Sequence, residues 1–240
     1  FDENGKVKTA YIQQDGTTAI GDFDMVPIID TFVEKHPDFA YKGHKGVLAL
    51  TGYNGVLGYR TDSVYTTLQD LDLDQEQFLA DNPNFNYQQE VEDAKKIADA
   101  MKANGWEFAT HTWGHITLTT ADMEWIQTDT EKWLAYVASI VGPTDIILYP
   151  YGGDIAGVEE YDFNNEKFSY LYEQGLRYFC NVDSNQYWTQ KGSNYFRMGR
   201  RNVDGYRMYH DGEGLTDLFD VSTVFDPKRP TPVPNMSDYY

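Results

Sequence analysis

Trp106-Glu107-Phe108-Ala109-Thr110 and, directly after it, His111-Thr112-Trp113-Gly114-His115 form the stretch on which the fold of this chain turns. Its first half reads as a buried strand. A helical pattern precedes it over 87–104, where Val91, Ala94, Ile97, Ala98 and Met101 share one face and Asn104-Gly105 supplies the stop. Outward from there the alternation repeats. Upstream, 24–35 has a helical apolar face entered through Pro27, and 47–51 is a short apolar run between Gly46 and Gly52 that suits a buried strand. Downstream, 120–140 and 163–174 read as helices, with strands at 146–149 and 177–182 after them. Strands alternating with helices predict parallel pairing in an α/β architecture, with function at the C-terminal ends of the strands.

Other segments are less regular. Residues 1–20 read as an N-terminal hairpin, with turn signals at Asn4-Gly5 and Asp15-Gly16 around a Val-, Thr- and Tyr-rich run. The acidic, Asn-Pro-punctuated 68–86 reads as a surface excursion with one short helix. Four prolines in 227–240 mark a Pro-rich tail, leaving 1–226 as one domain.

Composition narrows the class. With 41% hydrophobic residues and 19 Tyr, 13 Phe and 5 Trp, the chain is folded rather than low-complexity. Its 38 acidic against 19 basic residues give a formal charge of −19, which repels phosphate backbones and excludes nucleic acid as a partner. The lone Cys180 forms no internal disulfide and reads as a small buried hydrophobe. No run reaches the roughly 18 apolar residues of a membrane helix. The sequence starts at Phe1, which suits a processed form whose signal segment lies outside it.

Two of the five histidines, His111 and His115, follow the strand at 106–110. Imidazoles with three residues between them at a strand end can converge on one ion at about 2.0–2.1 Å, the usual zinc–nitrogen distance. On spacing alone, a helix-capping histidine beside a buried one serves equally well. Tyr149-Pro150-Tyr151-Gly152-Gly153 follows the next strand in the same way. Its glycines let the backbone approach a ligand, and its N–H groups can face an anionic intermediate; the plain alternative is a tight strand-to-helix turn.

His111-Thr112-Trp113-Gly114-His115 resembles the His-(Ser/Thr)-x-x-His metal motif of the polysaccharide deacetylases, the NodB-homology domain of carbohydrate esterase family 4. Tyr149-Pro150-Tyr151-Gly152 resembles their following Pro-Tyr-Gly motif. Leu176-Arg177-Tyr178-Phe179 is similar to the strand after it, and 196–203 to a late arginine-containing strand, so the resemblance runs to about Phe225. It implies a distorted (β/α) barrel and a divalent metal, commonly zinc, held by two histidines and an aspartate. That metal polarises an N-acetyl carbonyl and activates water while a second aspartate acts as base. His111 and His115 are then metal ligands, and the N–H of Tyr151 is an oxyanion donor.

The chain also departs from the family pattern. The Thr-Phe-Asp-Asp-Gly motif has its nearest counterpart in Ile12-Gln13-Gln14-Asp15-Gly16. In that register Asp15 is the third ligand and Gln14 stands where the base should be. In a second register the acidic pair lies upstream of Phe1, the barrel lacks its first strand here, and Asp15 is a turn residue. His210 is the one match to the late Leu-x-His motif that supplies a general acid. The arginine before Pro-Tyr-Gly is replaced by Leu148 and Tyr149, and Arg200 or Arg201 is expected to orient an acidic group instead. Trp113, between the histidines, is expected to rim the substrate site; Asp183 is expected to add a polar group; Trp125 and Trp133 read as core.

The resulting expectation is a metal-dependent hydrolase removing N-acetyl groups from a cell-wall or capsular polysaccharide, extracellular or cell-surface associated, with an N-acetylated glycan as partner. The alternatives are an inactive homologue that binds glycan and an amidohydrolase of a small amide.

Overall fold

The structure, a computed structural model, describes residues 1–226 and 228, so all but Lys228 of the expected Pro-rich tail at 227–240 lies outside the described residues. Asp15-Gly16 turns β1 (Thr9–Ile12) back onto β2 (Thr18–Gly21), an antiparallel pair that forms a sheet of its own. The Asp24 carboxylate accepts the Met25 N–H to start α1 (Met25–Lys35), and β3 (Gly46–Leu50) follows. The acidic excursion holds α2 (Val64–Thr67) and α3 (Leu73–Asp81). The second of these opens on a capping box in which Asp72 and Gln75 accept each other's backbone N–H. Asn86 caps α4 (Tyr87–Ala103), which turns Ala94, Ala98 and Met101 inward, as their spacing of four and three requires.

β4 (Trp106–Thr110) follows, buried along nearly its whole length as a central parallel strand is. The helix expected over 120–140 is divided into α5 (Met123–Trp133), a π-helical turn at Leu134–Ala138 and α6 (Ser139–Val141). The remainder is β5 (Ile146–Leu148), α7 (Glu166–Glu173), β6 (Tyr178–Val182), β7 (Trp188–Lys191), β8 (Phe196–Arg200) and α8 (Gly205–His210). The six later strands form one sheet in the order β3-β4-β5-β6-β8-β7. All neighbours are parallel except β7 on β8.

This sheet corrects the expectation of a barrel. Among the described residues it is open, with β3 and β7 as its edges. β7 turns back antiparallel onto β8 and ends that side, so no strand arrives to pair with β3. Beside β3 runs an apolar groove lined by Leu48, Leu50, Ile97 and Met101. The core consists of two clusters, one around Ile126, Ile147, Phe168 and Phe179, the other around Ala98, Trp106, Trp133 and Val137. α5 contributes to both, through Ile126 and Trp133. Because β4, β5, β6 and β8 are parallel, the residues after all four strands gather at one end of the sheet.

Candidate active site

At that end, the His111 N–H extends the ladder by donating to the Leu50 carbonyl at 3.0 Å. Its Nδ1 lies 2.7 Å from the carbonyl of Leu148, the last residue of β5. A carbonyl can only accept, so Nδ1 carries the proton and Nε2 is left with its lone pair, the arrangement a metal-ligating histidine needs. Burial holds the imidazole below the usual histidine pKa, against the Leu148 bond, which favours the neutral ring. The His111 and His115 rings stand 4.8 Å apart edge to face, and His115 stands 4.6 Å from the ring of Tyr151.

Three non-glycine residues here have left-handed backbone: Thr112 at φ 60°, His115 at 55° and Tyr151 at 55°. For a β-branched threonine this is strained, and such strain persists only where surrounding bonds over-determine it. They do so at Thr112. Its N–H donates to the Thr110 hydroxyl at 3.1 Å, and its own hydroxyl accepts the Ile116 N–H at 2.9 Å. Between the histidines, the N–H groups of Trp113 and Gly114 both donate to the Asp129 carboxylate at 2.7 Å. Asp129 is 4% exposed, and burial raises its pKa despite those two bonds. The Trp113 carbonyl accepts the N–H groups of Gly52 and Tyr53, which ties the loop after β3 to the same segment.

The turn after β5 is fixed from the other side. Gly152 has φ +69°, and a Cβ there would come within 2.6 Å of the Val182 Cβ, so both conformation and space demand glycine. Arg197, 1% exposed on β8, pairs with both oxygens of Asp154. It also donates to the carbonyls of Gly157 and Glu159. Asp154 further accepts from the Tyr161 hydroxyl, itself 2.9 Å from the hydroxyl of Tyr149. A buried pair this well hydrogen-bonded locks the 153–161 segment under Tyr151; removing one partner of such a pair costs about 3–5 kcal/mol.

Sequence reasoning placed His111, His115 and Tyr151 together, and they are together. It missed Asp129, Asp154 and Arg197. Asp129 left a signal, an acid three residues after Ile126 and four before Trp133 on the buried face of α5. The remaining expectations fare differently. Asp15 sits in the β1–β2 turn, fully exposed, its carboxylate bound by the Thr17 N–H and hydroxyl, which lower its pKa. Asp183 closes its own turn by accepting the N–H groups of Asn185 and Gln186, which hold its carboxyl below the usual range. His210 ends α8, its ring tilted against Tyr206 at 4.4 Å and edge to face with Tyr209 at 4.8 Å, where a loop was expected. Trp113 packs inward on Gly52 and the second core cluster with Lys132 over its ring, rather than standing at a rim. Arg200 ends β8 with its Nη2 3.5 Å from the Tyr149 carbonyl, so it does reach this end of the sheet.

The two imidazoles suit part of a divalent-cation site. The third donor does not join them: among the described residues no group of three His, Cys, Asp or Glu side chains stands close enough to hold a metal.

The polysaccharide deacetylase family model matches residues 40–178, more than half of the chain, from just ahead of β3 to the first residue of β6. The chain belongs to the polysaccharide deacetylase family. Both histidines and the Pro-Tyr-Gly turn lie inside the matched stretch, whereas Arg197 and Arg200 lie beyond it. Among solved structures, a Mycobacterium smegmatis protein described as a candidate polysaccharide deacetylase is similar at 17% identity and a TM-score of 0.34. The alignment covers 68% of this chain and 60% of that one. No curated protein matches the chain. Among the described residues no helix is long and apolar enough to cross a membrane.

Proposed function

We propose that this member of the family is a hydrolase that removes N-acetyl groups from a cell-wall or capsular polysaccharide, at or outside the cell surface, with a divalent cation, zinc first, as cofactor. The observation that supports this best is the orientation of His111, whose Nδ1–H is committed to Leu148 so that Nε2 is free beside His115. A cation held by His111 and His115 would supply a Lewis acid for the acyl carbonyl. The chain's own groups orient the substrate. The N–H of Tyr151 makes no hydrogen bond within its turn, where Gly152 and Gly153 donate to Tyr149 and Pro150, so it is available to an oxyanion. The Tyr151 ring, 70% exposed, offers a flat apolar face to a sugar.

The lack of a third ligating side chain grouped with the histidines among the described residues favours a second reading, a homologue that binds glycan without hydrolysing it. One experiment separates the two. Zinc content, chitotetraose binding and acetate release are measured on the native chain, H111A and H115A. The deacetylase reading expects about one zinc per native chain, and its loss in both variants with a fall in acetate release of at least about 100-fold. Chitotetraose bound by the native chain without acetate release would move the binding reading ahead. Unchanged zinc in both variants would end the metal assignment.

A further inference from the structure

Arg200 is half-buried at the C-terminal end of β8, and its side chain reaches across β6 toward the carbonyl that follows β5. Its surroundings set it apart from the other arginines among the described residues. Arg197, Arg201 and Arg207 have carboxylate partners, and Arg60 and Arg177 lie over aromatic rings. Arg200 has neither. Its Nε is buried with no hydrogen-bond partner, as in Arg201 and Arg207, but where those two bond through their other nitrogens, Arg200 has only the 3.5 Å contact of Nη2 to Tyr149. Among the described residues no carboxylate stands within ion-pair distance, in a chain with twice as many acidic as basic residues. A guanidinium drawn out of water without a counter-charge is costly, and Arg stays protonated at all ordinary pH. Such a group suits an anion, and its planar fork matches a carboxylate. The Tyr149 carbonyl it approaches directly follows Leu148, whose own carbonyl holds His111 Nδ1, so Arg200 lies at the same end of the sheet as the histidines.

We propose that Arg200 binds a carboxylate delivered by a ligand beside His111, first of all that of the acetate which deacetylation would release. The proposal rests on the deacetylase reading for the source of the acid but not for the chemistry of recognition. The strongly negative surface argues for a small anion with a single charge. Repeated carboxylates on a polymer would meet long-range repulsion, while one carboxylate at contact distance is governed by the guanidinium it touches. A neutral acetamide gives Arg200 no charge to answer, so the residue distinguishes product from substrate and contributes as charge develops on the acyl oxygen.

The test is direct binding, independent of turnover. Sodium acetate, sodium glucuronate and neutral acetamide are titrated at constant ionic strength into the native chain, R200M and R200K, with chloride as the control anion. Acetate is expected to bind the native chain, at least about tenfold more weakly to R200M, and at an intermediate level to R200K, which keeps the charge but not the fork. Acetamide binding is expected to be the same in all three. R200M is expected to melt no lower than the native chain, because it sheds an unpaired buried charge, and that separates a lost receptor from a lost fold. Glucuronate binding more tightly than acetate with the same dependence on Arg200 would assign the receptor to an acidic sugar residue. Equal acetate binding by native chain and R200M would overturn the proposal, even where acetate release proceeds. Arg200-dependent binding in a chain that releases no acetate would uphold it while the deacetylase reading fails.

Discussion

Asp129 shows how much of this site rests on a residue that touches no substrate. Its two oxygens take two of the three N–H groups that lie between the histidines, those of Trp113 and Gly114, and a Cβ on Gly114 would already press on Oδ2 at 3.1 Å. Asp129→Ala leaves both donors buried and unpaired. At about 1–3 kcal/mol for each orphaned group, a loss of roughly 2–6 kcal/mol in unfolding free energy is expected, with weaker zinc binding because the loop that sets the His111–His115 spacing relaxes. Asp129→Asn should fall between, since its carbonyl serves one N–H while its amide group faces the other. Urea unfolding and zinc titration of the two variants check this; a change in D129A under about 0.5 kcal/mol would show that water replaces the carboxylate freely.

The elements that carry the site are strand ends, and their conformations are fixed by contacts made across the sheet. Gly152 is the sharpest case, with a positive φ and Val182 of β6 against it. Gly152→Ala combines left-handed strain with a steric clash and is expected to cost at least about 2 kcal/mol. Gly157→Ala, with φ +59° and nothing within 4 Å of its missing Cβ, carries the strain alone and is expected to cost about 1 kcal/mol. Equal urea midpoints for the two would remove Val182 from the account. The same contrast explains what was legible in the sequence. β4 was readable because an apolar run between Gly105 and a His-rich turn has one sensible conformation, and α4 because its apolar spacing from Val91 to Met101 is helical over about three turns. β7 was not legible, since Trp188-Thr189-Gln190-Lys191 has a mixed pattern that becomes a strand only by pairing with β8. The open edge followed from that pairing, which no local pattern announces. His111, His115 and Tyr151 were legible as a motif. The groups that hold them, Asp129 from α5 and the Asp154–Arg197 pair, come from segments 15 to 43 residues away from their partners and carry no local signature.

Across the whole molecule, the two core clusters meet at one sheet and one helix. Trp106 and Phe108 of β4 belong to one cluster, Ile147 of β5 to the other, and Thr110 pairs with Ile147 across the boundary. α5 crosses it too, with Ile126 on one side and Trp133, whose indole N–H donates to the Leu50 carbonyl, on the other. Exposing either cluster breaks the packing of α5 and the β4–β5 seam, so neither can unfold at a free energy far below the other. Residues 1–226 are therefore proposed to behave as one domain, and a chain ending at Asp226 is expected to unfold in a single transition. With the exposed Trp125 and the β7 residue Trp188 replaced by Phe, tryptophan fluorescence reports the second cluster through Trp106, Trp113 and Trp133, and far-ultraviolet circular dichroism reports the molecule as a whole. Their urea midpoints should coincide, and Ile147→Ala in the first cluster, at a cost of about 2–5 kcal/mol, should move both together. A fluorescence midpoint that stayed in place while the dichroism shifted would divide the chain at the β4–β5 seam. The candidate site would then straddle two units, since His111 leaves β4 on one side of that seam and Tyr151 leaves β5 on the other.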